Sequence, residues 1–215
     1  MSVEPIFIFS LPRAGSTLLQ RILSSSSDIS TQPEPWVAIP FFYALKNQGV
    51  MAEYGHSVMS KAVSDFTSGS FASGDQFQYH KMVGEFLTSL YQVHTEKGAK
   101  YFLDKTPRYH LIVDDLIDAF PNGKFIFLWR NPLAVAASMI ETWGKGDWNL
   151  YMFYVDLYKG MDALVNAHKK HESKVMTVRY EDLVDQPRQQ LEARSHYLAI
   201  EKETFSGEVY GDVKK

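Results

Sequence analysis

Two short segments carry residues whose types and spacing suit the binding of anions. In Leu11-Pro12-Arg13-Ala14-Gly15-Ser16-Thr17 a glycine permits close backbone approach, two hydroxyl residues follow it and an arginine precedes it. Backbone N–H groups at a helix start, hydroxyls and a permanent positive charge are all donors, so the segment is composed to cradle a phosphate group. A plain strand-to-helix turn capped by Ser16 would use the same residues. The second segment is Arg130, with Ser138 eight residues further on. One at a strand end and the other on a helical face, they can approach a single anion, though the spacing does not require it. Each charge-assisted hydrogen bond contributes roughly 1.5–3 kcal/mol, so four or five such donors would hold an anion even on an acidic protein.

The elements that position these residues follow from hydrophobic periodicity. Ile6 to Phe9 is a continuous apolar run ended by Pro12 and Gly15, as expected of a strand buried on both faces. Leu18, Leu19, Ile22 and Leu23 share one helical face, and Ser24 to Asp28 stops it. The cradle therefore lies beyond the carboxyl end of a strand, where open parallel sheets bind their ligands. After the Asn122-Gly123 turn, Lys124 to Trp129 reads as the clearest buried strand, and Leu133 to Trp143 as a helix. Tyr101 to Leu103 forms a second short strand, with Pro107 in the first turn of a helix carrying Leu111, Ile112, Leu116 and Ala119. A long helix is expected from Trp148 to about His171, then a strand from Val175 to Tyr180 and a helix from Pro187 to about Leu198. Thr31 to about Gly98 reads as helices joined by a mobile loop at the Gly/Ser-rich patch Ser68–Gly74. Strands alternating with helices imply an α/β fold of three layers, α/β/α, around a central, mainly parallel sheet. No linker or repeat divides the chain, so residues 1–215 read as one domain.

Composition narrows the function classes. With 22 Lys and Arg against 25 Asp and Glu, the net charge is −3. That balance argues against a generic nucleic-acid or anionic-membrane surface and leaves a local basic pocket possible. The absence of cysteine excludes disulfides, thiolate metal sites and cysteine nucleophiles. The opening apolar stretch Ile6–Leu11 is too short for a signal sequence, and no segment approaches the length of a membrane span. A cytoplasmic protein is the expectation; the oligomeric state is not legible.

A triphosphatase P-loop would place a lysine after its last glycine, whereas here Ser16 follows Gly15 and the basic residue precedes it. Such enzymes also commonly end a strand in an aspartate that helps hold Mg²⁺; the strand from Phe125 ends in Arg130. The pattern implies two separated phosphate-like groups with no metal between them.

Together the segments resemble the sulfotransferases that use 3′-phosphoadenosine-5′-phosphosulfate (PAPS), which adopt a P-loop-like sulfotransferase fold. Their P-[KR]-S-G-T-T type loop, which binds the 5′-phosphosulfate, is matched by Pro12, Arg13, Ala14, Gly15, Ser16 and Thr17. Their 3′-phosphate pair is matched by Arg130 and Ser138. Arg179-Tyr180-Glu181-Asp182-Leu183 is similar to a further family segment whose tyrosine region lies near the nucleotide. The resemblance runs from Pro5 to about Leu198. Ala14 departs from the usual serine and removes one hydroxyl, while Arg13 stands where many cytosolic members have lysine, as in the tyrosylprotein and bacterial branches. Relatives continue into a Gly- and Lys/Arg-containing loop over the 3′-phosphate, so the ending Gly211-Asp212-Val213-Lys214-Lys215 suggests a missing lid segment.

The resemblance implies transfer of a sulfuryl group to a hydroxyl acceptor, leaving adenosine 3′,5′-bisphosphate (PAP), with PAPS as co-substrate and no metal. Arg13 would be the leading cation, supported by Lys105, whose like occurs in relatives. Glu34, between Pro33 and Pro35, matches a glutamate that serves as base in the tyrosylprotein branch; the flanking prolines are expected to extend its backbone and aim the carboxylate at the cradle. His110 is the reserve base. His56, His80 and His94 show no recognisable partners, and His168 and His171 suit a helix C-terminus. Tyr151, Tyr154, Val155 and Tyr158 recur at helical spacing and read as core, whereas Trp143 to Trp148 reads as a substrate lip. A nucleotide kinase or other phosphoryl transferase, and a non-catalytic nucleotide-binding module, are the alternatives.

Overall fold

In the computed structural model, which describes residues 3–46, 55–70 and 76–200, the Ile-Phe-Ile-Phe run forms β1 (Glu4–Phe9). Side chains of a strand alternate between sheet faces, so this run sends phenylalanines one way and isoleucines the other. The chain continues through α1 (Ser16–Leu23), β2 (Ile29–Thr31), α2 (Ala38–Tyr43), α3 (His56–Ser70), α4 (Gln76–His94) and β3 (Tyr101–Asp104). A 3₁₀ turn at Tyr109–Leu111 leads to α5 (Val113–Ala119), β4 (Lys124–Trp129) and α6 (Pro132–Trp143). After further irregular turns come α7 (Gly160–Lys170), β5 (Val175–Arg179), α8 (Tyr180–Asp185) and α9 (Pro187–Leu198).

The five strands make one sheet in the order β2-β3-β1-β4-β5. Every pairing is parallel: Ile6 sits opposite Leu103, Ile8 opposite Ile126, Ser30 opposite Phe102 and Leu128 opposite Val178. On one face Phe7, Phe9, Phe102, Phe125 and Phe127 pack under α2, α4, α5, α6 and α7. On the other, Ile6, Ile8, Leu103, Ile126 and Leu128 pack against α1, α8 and α9. The phenylalanines stack along their face, with the Phe7 and Phe125 ring centroids 5.9 Å apart and the rings nearly parallel. This is the expected three-layer architecture with a parallel sheet.

Four details differ from the sequence expectations. The edge strand β2 was not anticipated; it is three residues long, and Thr31 secures it by donating from Oγ1 to the Leu103 carbonyl at 2.7 Å. The helix expected from Pro107 begins as the 3₁₀ turn and breaks at Ile112, where the backbone leaves helical geometry. The long helix expected over Trp148–His171 is a 3₁₀ turn (Leu150–Phe153), a π-helical turn (Val155–Lys159) and then α7. Tyr180 is not the last residue of a strand but the first of α8. Of the Ser68–Gly74 patch, α3 takes residues 68–70, and 71–74 lie outside the described residues, as does the ending 211–215 on which the reading of a missing lid segment rests. No helix among the described residues is long and apolar enough to cross a membrane.

Candidate active site

The loop after β1 turns sharply into α1, and two residues adopt left-handed backbone to make that turn: Arg13 at φ 66° and Gly15 at φ 95°. Gly15 is required for a second reason. A Cβ there would fall 2.2 Å from Cδ2 of Tyr180, so the ring of Tyr180 lies directly on the glycine. Gly15 is the N-cap of α1 and no side chain caps the helix, which leaves its first-turn N–H groups for another acceptor. Pro12, Arg13, Gly15, Ser16 and Thr17 line a cavity of about 640 Å³.

β4 delivers Arg130 to the same cavity, which Tyr180 also lines. The Arg130 guanidinium carbon lies 4.3 Å from the Tyr180 ring centroid, and its Nη1 donates to the Arg13 carbonyl at 2.8 Å. The strand end is itself anchored. Asn131 accepts from the Leu133 N–H to cap α6, and the Asn131 N–H donates to Glu181 Oε1 at 2.9 Å. That hydrogen bond, more than the nearby arginines, holds the Glu181 carboxyl below its ordinary value. Ser138, one α6 face away, also lines the cavity and accepts from Arg13 Nε at 3.1 Å. Neither Arg13 nor Arg130 has a carboxylate partner among the described residues, so both charges are available within one cavity.

Glu34 reaches the cavity from the loop between β2 and α2. Its backbone is not extended as the flanking prolines suggested: Glu34 has φ 35° and Trp36 φ 58°, both left-handed. The loop is tied at its start, where Gln20 of α1 donates from Nε2 to Thr31 Oγ1 and to the Gln32 carbonyl. Its carboxylate is tied to Lys105, whose Nζ donates to Glu34 Oε1 at 2.7 Å and to Thr17 Oγ1 at 3.4 Å. The Lys105 side chain is only 3% exposed and that of Glu34 is 41% exposed, so the lysine supports the carboxylate from beneath.

The structure thus brings Arg13, Gly15, Ser16, Thr17, Glu34, Arg130, Ser138 and Tyr180 to one cavity, with Lys105 just under its floor. Ala14 is not brought there. Its side chain is buried in the core and its N–H turns back onto the Leu11 carbonyl, so it shapes the loop instead of lining the cavity. His110, the reserve base, is fully buried, and burial lowers its pKa despite Asp156 at 3.8 Å; it does not line the cavity. His56 and His94 do have partners, the Lys46 carbonyl and Gln32, and His171 pairs with Asp114. Among the described residues no group of three or more His, Asp or Glu side chains is placed to hold a metal ion.

The opposite wall carries no signal in the sequence. Arg108 donates from Nε and Nη2 to the two oxygens of Asp156, both at 2.9 Å, and both residues line the cavity. The π-helical turn carries Asp156 inward, and such turns recur at functional sites. It also corrects the reading of the tyrosine stripe as core: Tyr151 is 82% exposed, and Tyr151, Tyr154 and Tyr158 form an exposed ladder of neighbouring rings. Trp143 lines the cavity with Trp36, under the Arg13 guanidinium, while Trp148 stands 72% exposed beyond it. Of the Trp143–Trp148 segment, Trp143 alone lines the cavity.

Two cations that have no carboxylate partner among the described residues, one in the loop after β1 and one just after β4, thus face one cavity at the carboxyl end of a parallel sheet. Residues 5–203 match the sulfotransferase family, and the chain belongs to it. It is 27% identical over 208 residues to the nodulation protein NoeE of Sinorhizobium fredii (strain NBRC 101917 / NGR234), covering 86% of this chain and 48% of that one; the chain spans about half the length of that relative. Among solved structures it is similar to the sulfotransferase domain from the curacin biosynthetic pathway, at 25% identity and TM-score 0.57 over 96% of this chain and 76% of that one. The sulfotransferase domain of the Synechococcus PCC 7002 olefin synthase shares the fold, at 24% identity and TM-score 0.61 over 99% and 81%. So does a mouse sulfotransferase complexed with PAP, at 14% identity and TM-score 0.55 over 98% and 64%.

Proposed function

We propose that the chain transfers the sulfuryl group of PAPS to a hydroxyl acceptor and releases PAP. The observation that carries this reading is the pair Arg13 and Arg130, which line one cavity and have no carboxylate partner among the described residues. One anionic end of the nucleotide would lie at the α1 N-terminus with Gly15, Ser16, Thr17 and Arg13, the other at Arg130 and Ser138. The fold's occurrence in a mouse sulfotransferase complexed with PAP supports a bisphosphate of this shape.

PAPS supplies a sulfuryl group joined to a phosphate leaving group. In the proposed step the acceptor oxygen bonds to sulfur, the bond from sulfur to the bridging phosphate oxygen breaks, and the acceptor proton passes to Glu34. Lys105 fixes the Glu34 carboxylate at 2.7 Å and stands beside Thr17 at the cradle. Arg13 and the first-turn N–H groups of α1 are placed to meet charge developing on the leaving phosphate, the kind of fixed donor array that stabilises a transition state. Arg108 is matched by Asp156, and Trp36, Trp143 and Met152 complete the acceptor side, so that wall presents aromatic surface and a neutralised ion pair. A cytoplasmic setting belongs to the same proposal.

Transfer of ³⁵S from labelled PAPS into a panel of phenols, sugars, peptides and lipids tests the reading. Label in an acceptor, with PAP formed in equal amount, is expected. Consumption of γ-labelled ATP with no loss of label from PAPS would replace sulfuryl transfer by phosphoryl transfer.

A further inference from the structure

Asp104 ends β3 immediately before Lys105, and its carboxylate is completely buried. Three hydroxyls donate to it: Tyr109 at 2.6 Å and Tyr91 at 2.7 Å to Oδ2, and Thr106 at 3.2 Å to Oδ1. Asp104 does not line the cavity, and neither do its partners. A buried carboxylate costs stability unless it is fully satisfied, which makes this cluster more than a default packing solution.

The direction of its hydrogen bonds matters. An ionised carboxylate only accepts, so the Thr106 proton must point at Asp104 and the Thr106 lone pairs point away. One of them accepts the Trp36 N–H at 3.1 Å. Trp36 and Glu34 both hold left-handed backbone, which residues other than glycine keep only when their surroundings over-determine it. The Thr106 hydroxyl provides that restraint on one side of Glu34, as the Gln20 bond to the Gln32 carbonyl does on the other.

We propose that Asp104, acting through the Thr106 hydroxyl, is a positioning residue that holds the Glu34–Trp36 turn and thereby sets the reach of Glu34 toward the acceptor proton. This rests on Glu34 being the base. Asp104 and Lys105 are adjacent in sequence, so the end of β3 controls Glu34 twice: Lys105 holds its carboxylate and Asp104 holds its backbone. Replacing Asp104 by asparagine turns an N–H₂ group toward Thr106 and reverses the bond, leaving the Thr106 proton to compete with the Trp36 N–H.

The test measures kcat and the PAPS KM, with the fastest acceptor of the panel, for Thr106→Ala, Thr106→Ser and Asp104→Asn, each alone and combined with Glu34→Gln. PAP affinity is measured beside them by calorimetry. Thr106→Ala is expected to lower kcat at least tenfold while PAPS KM and PAP affinity stay within twofold. Thr106→Ser keeps the hydroxyl and is expected to return kcat to within threefold of the parent. In the Glu34→Gln background, Thr106→Ala is expected to cost less than twofold, because both changes act on one group. A silent Thr106→Ala beside a crippled Glu34→Gln, a Thr106→Ser as poor as alanine, or full multiplication of the two losses would overturn the proposal. An unchanged kcat for Glu34→Gln would strike the base assignment itself, a result separate from these. Should Asp104→Asn fail to fold, the Thr106 pair decides alone.

Discussion

The ring of Tyr180 rests on the bare α-carbon of Gly15, so close that a Cβ on the glycine would lie 2.2 Å from Tyr180 Cδ2. The same ring carries Arg130, whose guanidinium carbon is 4.3 Å from the ring centroid. Tyr180 therefore couples the cradle to the second cation. Gly15→Ala is expected to displace the ring and to strain a left-handed backbone by about 1–2 kcal/mol. PAP affinity should fall at least tenfold and the melting temperature should drop. In Tyr180→Ala the ring is gone, and adding Gly15→Ala should then cost only the backbone strain, a non-additivity that calorimetry and thermal melts will read.

Arg130 is predicted to serve the 3′-phosphate alone. Losing one charge-assisted contact worth about 1.5–3 kcal/mol should weaken PAP by roughly 10–150-fold in Arg130→Ala. Binding of adenosine 5′-phosphate should change little. Equal losses for the two nucleotides, measured by calorimetry, would remove the assignment.

Glu34 and Lys105 are predicted to act on turnover. A general base contributes typically 10²–10⁴-fold, so Glu34→Gln should lower kcat by about that factor with PAP affinity retained. Lys105→Met should lower kcat by roughly 10²–10³-fold, by analogy with other fixed transition-state donors. Steady-state kinetics with the panel acceptor checks both.

Burial is the dominant influence on Asp104 and raises its carboxyl to about 6 from an ordinary 3.8, against the pull of its three hydroxyl donors and Lys105. The folded state then holds this proton more tightly than the unfolded state. Its contribution to stability is fully present below pH 3.8 and is lost as pH rises through about 6. The amount is on the order of 3 kcal/mol. Urea unfolding of the parent and of Asp104→Asn between pH 4 and 7 should show the parent losing stability relative to the variant as pH rises. A difference that is flat with pH would contradict the buried, titrating carboxylate.

The sheet was legible in the sequence because its central strands are buried on both faces. The runs at Ile6–Phe9 and Phe125–Trp129 are continuous and apolar, and the alternation of Phe with Ile even sorts the two core layers. β2 was invisible because three residues, Ile29 to Thr31, carry no pattern; its parallel pairing with β3 defines the strand, and the bond from Thr31 to the Leu103 carbonyl secures it. The cradle and Arg130 were legible because loop and strand-end residues keep their local spacing. The pairing of Arg108 with Asp156 was not, since the two are 48 positions apart and nothing local marks either. The tyrosines at 151, 154 and 158 misled for a physical reason: helical spacing says which residues share a face, and the π turn decides which face is buried.

In the proposed complex, protein donors grip two anionic ends of one nucleotide directly. Titration calorimetry with PAP in excess EDTA tests it most simply. One-to-one binding is expected that EDTA does not alter, that exceeds binding of ATP with Mg²⁺, and that is lost in Arg13→Ala/Arg130→Ala. Absence of PAP binding, or a preference for ATP that requires Mg²⁺, would contradict it.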